Sequence, residues 1–161
     1  MVYSIFLSHS ARDLPLASAV KGQVEAIGVS VYLYEEHAAP GESLTQKLQQ
    51  AITDHDALVA LLTPNSAPRS YVHQEIGFAL GKTKPAVALV VPGVPQEALA
   101  MLAEREYIRL NPADPLEGMT RLLQFLHGKA AEKQQTQLVA ALALTSLVFL
   151  MVYASAQSAS G

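Results

Sequence analysis

A chain of 161 residues has room for one ordinary domain and a short appendage. Half of the residues are hydrophobic and 16% are charged, and the net charge of −3 comes without any cluster of Lys or Arg, which argues against a nucleic-acid partner. Cysteine is absent, which excludes disulfides, thiolate zinc sites and cysteine nucleophiles together, and Met1 to Ser8 lacks the basic and long apolar regions of a signal peptide.

Tyr3 to Ser8 reads as a short buried strand that ends in the polar loop Ser8-His9-Ser10-Ala11-Arg12-Asp13. Asp13 is the expected cap of a helix carrying Leu14, Leu16, Ala17, Val20, Val24 and Ile27, and Gly28 stops it. Val29 to Tyr34 is a second strand, followed by the loop Glu35 to Glu42 with its Pro40-Gly41 turn signal. Ser43 opens a helix with Leu44, Leu48 and Ile52 on one face, running to about Thr53.

Ala57 to Leu62 is an apolar third strand, broken by Thr63-Pro64-Asn65, after which Ser66 or Ser70 caps the next helix. In that helix Val72, Ile76, Ala79 and Leu80 form one apolar stripe. Tyr71, Glu75 and Phe78 form a neighbouring one, so a carboxylate lies between two aromatic rings beside the core face. The same pattern also fits a surface glutamate with an apolar margin.

Lys84-Pro85 leads into a fourth strand, Ala86 to Val91, whose apolar character predicts an interior place. Pro92 to Pro95 turns the chain into a short helix ending near Ala103. Glu106 to Leu110 is a more polar edge strand, and Leu116 to Leu126 is a last amphipathic helix closed by Gly128.

Five alternations with short connections predict an α/β fold: a flavodoxin-like, doubly wound, five-stranded parallel sheet of order 2-1-3-4-5. Ligands of such sheets bind at the carboxyl ends of the strands, at the switch point between strands one and three. The loops meeting there are Ser8 to Asp13 and Thr63 to Ser70, and Glu75 lies one to two helical turns behind the second.

Several chemistries of such folds are excluded. A phosphoryl receiver needs an acidic pair and a phosphorylatable Asp where this chain has Ser8-His9 and Thr63-Pro64. A flavin loop needs glycine, and Ser8 to Asp13 has none. Gly81-Lys82-Thr83 looks like the end of a phosphate loop, but its earlier glycine would fall on Ile76 and it sits at a helix exit. No Gly-x-Ser-x-Gly elbow occurs. The five histidines (His9, His37, His55, His73, His127) show no metal-ligand spacing, so no metal is expected.

With these residues in hand the chain resembles a bacterial TIR (Toll/interleukin-1 receptor/resistance) domain over about residues 1–128. Ile5-Phe6-Leu7-Ser8-His9-Ser10 with Asp13 is similar to the family's first-strand motif. Glu35-Glu36 through Pro40-Gly41-Glu42-Ser43-Leu44 is similar to its BB loop. Asn65-Ser66 to Glu75 is similar to the segment bearing the family's catalytic glutamate, with Tyr71 where a tryptophan is usual, and Lys84-Pro85 matches the fourth-strand box.

The resemblance implies an NAD+ glycohydrolase or a cyclase forming cyclic ADP-ribose, with Glu75 as catalytic residue. NAD+ would be substrate, and no cofactor is called for. Substrate contacts are implied at Phe6, Ser8, Ser10, Arg12, Glu36, Gly41, Ser43 and Tyr71. The chemistry suits one carboxylate: nicotinamide leaves as a neutral base, so only the oxocarbenium-like ribosyl centre needs stabilising. Ser8, Ser10 and Arg12 offer donors to ribose and phosphate, while Ser8 and Ser10 as loop-bonding residues, Arg12 as a solvated charge and Gly41 as the turn glycine are the competing roles. Self-association through TIR–TIR contacts, with the BB loop reaching a neighbour, and a role in signalling or defence against phage are implied by analogy. The competing readings are a scaffold that recruits partners, and an effector whose tail acts on the membrane.

After a linker at 129–137 the composition changes. Leu138 to Ala154 is uncharged and broken only by Thr145 and Ser146. At ~1.5 Å per residue it spans roughly 26 Å against a hydrocarbon core of ~30 Å. A single transmembrane helix at 138–156, with a short tail at 157–161 and the TIR domain on the cytoplasmic side, is therefore expected, Lys129 and Lys133 flanking its amino-terminal side. The alternative is a hydrophobic helix buried in an oligomer.

Overall fold

A computed structural model describes residues 2–34, 44–66, 71–100, 102 and 106–158, with every side chain among them except those at 44, 71–73, 142–143 and 145–158. Five strands, β1 (Ser4–Ser8), β2 (Ser30–Leu33), β3 (Ala57–Leu62), β4 (Ala86–Val90) and β5 (Ile108–Arg109), form one sheet in the order β2-β1-β3-β4-β5. Every neighbouring pair is parallel. Helices α1 (Leu14–Glu25), α2 (Leu44–Asp54), α3 (Tyr71–Gly81), α4 (Gln96–Ala100) and α5 (Leu116–Ser158) connect or follow them. The expected strand order is the observed one, although β2 and β5 are shorter than their apolar stretches suggest.

All six residues of β3 are buried, as a central strand covered on both faces requires. Phe6, Leu58, Ala60, Leu62, Ala88 and Val90 share one face and pack against Ala51 and Ile52 of α2 and Ile76 and Ala79 of α3. The alternating residues Ile5, Leu7, Val59, Leu61 and Leu89 are buried on the other face. Lys84, just before β4, donates its ammonium to the carbonyls of Thr53 and His55, closing the carboxyl end of α2. Gly28 ends the α1 segment with φ +81. Gly118 lets α5 approach β5: a Cβ there would lie 2.4 Å from the Arg109 carbonyl oxygen.

Three expectations are corrected. Asp13 precedes α1 but makes no side-chain cap bond to it. Its carboxylate is drawn across to the loop after β3, and Pro15 already removes one of the amides a cap would serve. Leu80 is 36% exposed, whereas Glu75 is 7% exposed, so α3 is rotated to put Glu75, Ile76 and Ala79 toward the sheet. Leu14 and Ile27 are likewise exposed and leave the core face of α1 to Ala17, Val20 and Val24.

The last helix does not stop at Gly128, and the expected linker at 129–137 is helical. One interior glycine costs only about 1 kcal/mol relative to alanine, and the residues from Lys129 to Gln135 are strong helix formers. The chain divides into two compact units, Met1–Leu126 and His127–Gly161. Within the second, Lys129 pairs with Glu132 at 2.9 Å, Thr136 donates to the Glu132 carbonyl at 2.9 Å, and Leu138, Val139 and Leu144 are exposed. Residues 138–156 are helical as part of α5, yet among the described residues no helix is long and apolar enough to cross a membrane.

Candidate active site

The loops after β1 and β3 are tied together by a buried polar knot. Asp13 Oδ2 accepts from Thr63 Oγ1 at 2.7 Å and Asp13 Oδ1 accepts from Asn65 Nδ2 at 2.7 Å. Thr63 Oγ1 in turn accepts from the Asn65 amide at 3.0 Å, and Ser66 Oγ accepts from the Thr63 amide at 2.8 Å. These bonds satisfy a buried carboxylate completely and fix the path by which the chain leaves β3 toward α3.

Glu75 stands one turn into α3, in the seam with α2. Beside it is a small cavity of about 50 Å³ lined also by Leu48, Gln49, Ile52, Gln74 and Phe78. The Ser8 side chain, at the carboxyl end of β1, lies near the Glu75 carboxyl and favours its ionised form. Carboxylate oxygen Oε2 is buried and has no partner among the described residues. Burial in this largely apolar seam pushes the carboxyl up from 4.5 to about 7, and Ser8 pulls it part of the way back.

Two further buried polar atoms at this end of the sheet have no partner among the described residues: the Tyr34 hydroxyl and His9 Nε2. His9 Nδ1 lies 2.8 Å from the Ser10 carbonyl oxygen, which can only accept. Nδ1 therefore carries the proton of the neutral ring and Nε2 is bare.

The structure thus brings Ser8 and Glu75 together. Phe6 lies beneath them, wholly buried, with its ring 5.9 Å from that of Tyr32, so it serves by packing. Ser10 caps a single 3-10 turn, Ala11–Asp13, accepting from the Arg12 amide at 3.4 Å, and Arg12 is exposed. Tyr71 opens α3, but its side chain, like Glu36, Gly41 and Ser43, lies outside the described residues. Tyr34 was not among the residues singled out from sequence. The signal was available in strand alternation, which puts Tyr34 on the face of Phe6 and Tyr32. A larger cleft of about 340 Å³, whose lining includes Gly93, Tyr107, Arg109, Asp114 and Glu117, opens at β4 and β5 and holds none of the expected site residues. Among the described residues no His, Asp or Glu cluster could hold a metal ion.

The model of the TIR domain family matches residues 5–123. No curated protein sequence matches the chain. Among solved structures, the chain is similar to the TIR domains of the activated Roq1 resistosome directly recognizing the pathogen effector XopQ, with TM-score 0.59 and 16% identity over 77% of this chain and 99% of that one. It is similar to the TIR domain of the Toll-related receptor TRR-2 from Hydra magnipapillata, with TM-score 0.58 and 14% identity over 78% and 98%. The CMP N-glycosidase BcmB of Clostridium botulinum shares the fold too, with TM-score 0.54 and 17% identity over 76% and 98%. At such identities the structures speak for the fold alone, and the family match spans most of the chain. The protein belongs to the TIR domain family.

Proposed function

We propose that this TIR domain is an N-glycoside hydrolase acting on NAD+, with Glu75 as its catalytic residue. The observation that carries the reading is the Glu75 carboxyl itself, buried in an apolar seam at the switch-point end of the sheet with one oxygen lacking a partner among the described residues. In the reaction the C1′–N bond breaks and nicotinamide leaves with the bonding pair as a neutral molecule. The ionised Glu75 stabilises the cationic ribosyl centre, water adds to C1′, and the water proton passes to Glu75 or to solvent. Closure on a ribose hydroxyl in place of water would give a cyclic product.

The pKa of Glu75 separates this chemistry from its nearest relative. With the ionised form active, kcat/KM for NAD+ rises with pH through about 7 and then levels. A cationic substrate stabilises the carboxylate, so the limb of kcat lies at lower pH. The opposite slope, falling through pH 7, would mark protonated Glu75 as a general acid for a neutral leaving base, the demand of a nucleotide such as CMP. No release from either substrate at any protein concentration would leave a scaffold that works through TIR–TIR contacts.

The reading includes self-association and a tether. Domains that associate weakly gain effective concentration when confined to a surface. The tether rests on the sequence alone, on the uncharged run after Lys133 with Lys129 and Lys133 at its amino-terminal side, which would put the TIR domain on the cytoplasmic side, whereas no helix among the described residues is long and apolar enough to cross a membrane. A bacterial signalling or defence role is added by analogy with the family. Nicotinamide release by the full chain on membranes, set against a chain ending at Lys133, is the test. Release should climb more steeply than concentration, fall on truncation and return on forced clustering. A full chain that stays soluble without detergent would mean the apolar run is buried against protein.

A further inference from the structure

We infer that Tyr34 is a substrate-binding residue of this site, its hydroxyl pairing with a sugar hydroxyl of the ligand beside Glu75. The inference rests on the glycoside reading above. The parallel register pairs Phe6 with Tyr32 and Leu7 with Leu33. Continued by one step it sets Ser8 next to Tyr34, at the carboxyl ends of β1 and β2. Period two then gives both side chains the face of Phe6 and Tyr32. Tyr34 packs against the cluster containing Phe6, Ile52 and Ile76, and Ser8 lies near the residue preceding Ile76, Glu75. Three hydroxyl or carboxyl groups therefore gather on one face at one edge. The Tyr34 hydroxyl and Glu75 Oε2 are buried without partners among the described residues.

Buried hydroxyls are kept paired in folded proteins because a lost water is not otherwise replaced. A phenol and a carboxylate oxygen at the same edge, without partners among the described residues, suit a ligand that brings its own hydroxyls. The phenol both donates and accepts and the carboxylate accepts, which matches the vicinal hydroxyls of a furanose. A phenylalanine supplies the same ring without the hydroxyl, so Tyr34→Phe isolates the hydroxyl's part.

The experiment compares Tyr34→Phe with the native chain in three measurements: melting temperature without ligand, the rise in melting temperature on adding NAD+, and kcat and KM for nicotinamide release. The expected result is an unchanged or higher ligand-free melting temperature, a smaller rise with NAD+, and a kcat/KM lowered about tenfold or more. With the NAD+ analogue lacking the 2′- or the 3′-hydroxyl of the nicotinamide ribose, one of the two should show no further loss from Tyr34→Phe. Equal penalties on both analogues overturn the hydroxyl pairing. So do native kinetics and native NAD+ stabilisation in Tyr34→Phe, or a lower ligand-free melting temperature with unchanged binding, which would make the phenol a structural group. If the native chain binds NAD+ without releasing nicotinamide, the hydrolase reading fails and Tyr34 is judged on binding. If it binds neither NAD+ nor CMP, both fall.

Discussion

Asp13 and Glu75 are buried carboxyl groups, each 7% exposed, at the same end of the same sheet, and their surroundings differ in kind. Asp13 has both oxygens taken at 2.7 Å by Thr63 and Asn65, groups that belong to the loop after β3. Glu75 has the Ser8 side chain nearby, apolar neighbours in Leu48, Ile52 and Phe78, and an oxygen without a partner among the described residues. A carboxylate with all its donors is a cross-link and stabilises the loops it joins. A carboxyl buried in apolar surroundings with an oxygen lacking a partner among the described residues costs stability, and such a cost fits a site whose partner arrives with a ligand.

The strongest way to break this contrast is Glu75→Gln. Nicotinamide release should fall by roughly a thousandfold or more, with circular dichroism and self-association unchanged. Stability should move in the opposite direction. Because the folded-state value of about 7 lies above the ordinary 4.5, the folded protein binds the Glu75 proton more tightly than the unfolded chain does. Native stability therefore declines as pH rises from 4.5 through about 7 and is level above it, by roughly 3 kcal/mol at most. In urea titrations the glutamine variant should gain up to about that amount over the native chain at pH 8 and almost nothing at pH 4. Equal stability at pH 8 would mean that Glu75 is as well satisfied as Asp13.

Asp13→Ala tests the other half. It leaves the buried Thr63 hydroxyl without its acceptor, while the exposed Asn65 amide can turn to water, and a loss of about 1–3 kcal/mol is expected in the same titrations. Turnover per folded molecule should change far less than in Glu75→Gln. The smallest effect belongs to Ser8→Ala. It removes the side-chain hydroxyl that lowers the Glu75 pKa, so the rising limb of kcat/KM should shift to higher pH. A shift to lower pH would show that Ser8 does not favour the ionised form.

Much of the frame was legible in the chain itself. Ala57 to Leu62 and Ala86 to Val90 are apolar throughout, which a strand covered on both faces requires, and both are interior strands. Glu75 could be singled out because it sits four residues from Tyr71 and three from Phe78 on one helix. The end of the last helix was misread at Gly128, because a stop signal acts only when the residues beyond it favour another conformation, and Lys129 to Gln135 do not.

The sequence by itself determined the alternation of strand and helix, the apolar faces and, through short right-handed connections, the order of the sheet. Those are properties of local periodicity and chain length. Only the tertiary structure decided that Asp13 leaves its helix for Thr63, 50 residues on, and that α3 turns Glu75 inward and Leu80 outward. It alone left the Tyr34 hydroxyl without a partner among the described residues. Hydrogen-bond partners distant in sequence are chosen when the sheet sets two strand ends side by side. The phase of a helix on a sheet is likewise set by the side chains it must fit between, and no window of neighbouring residues contains either piece of information.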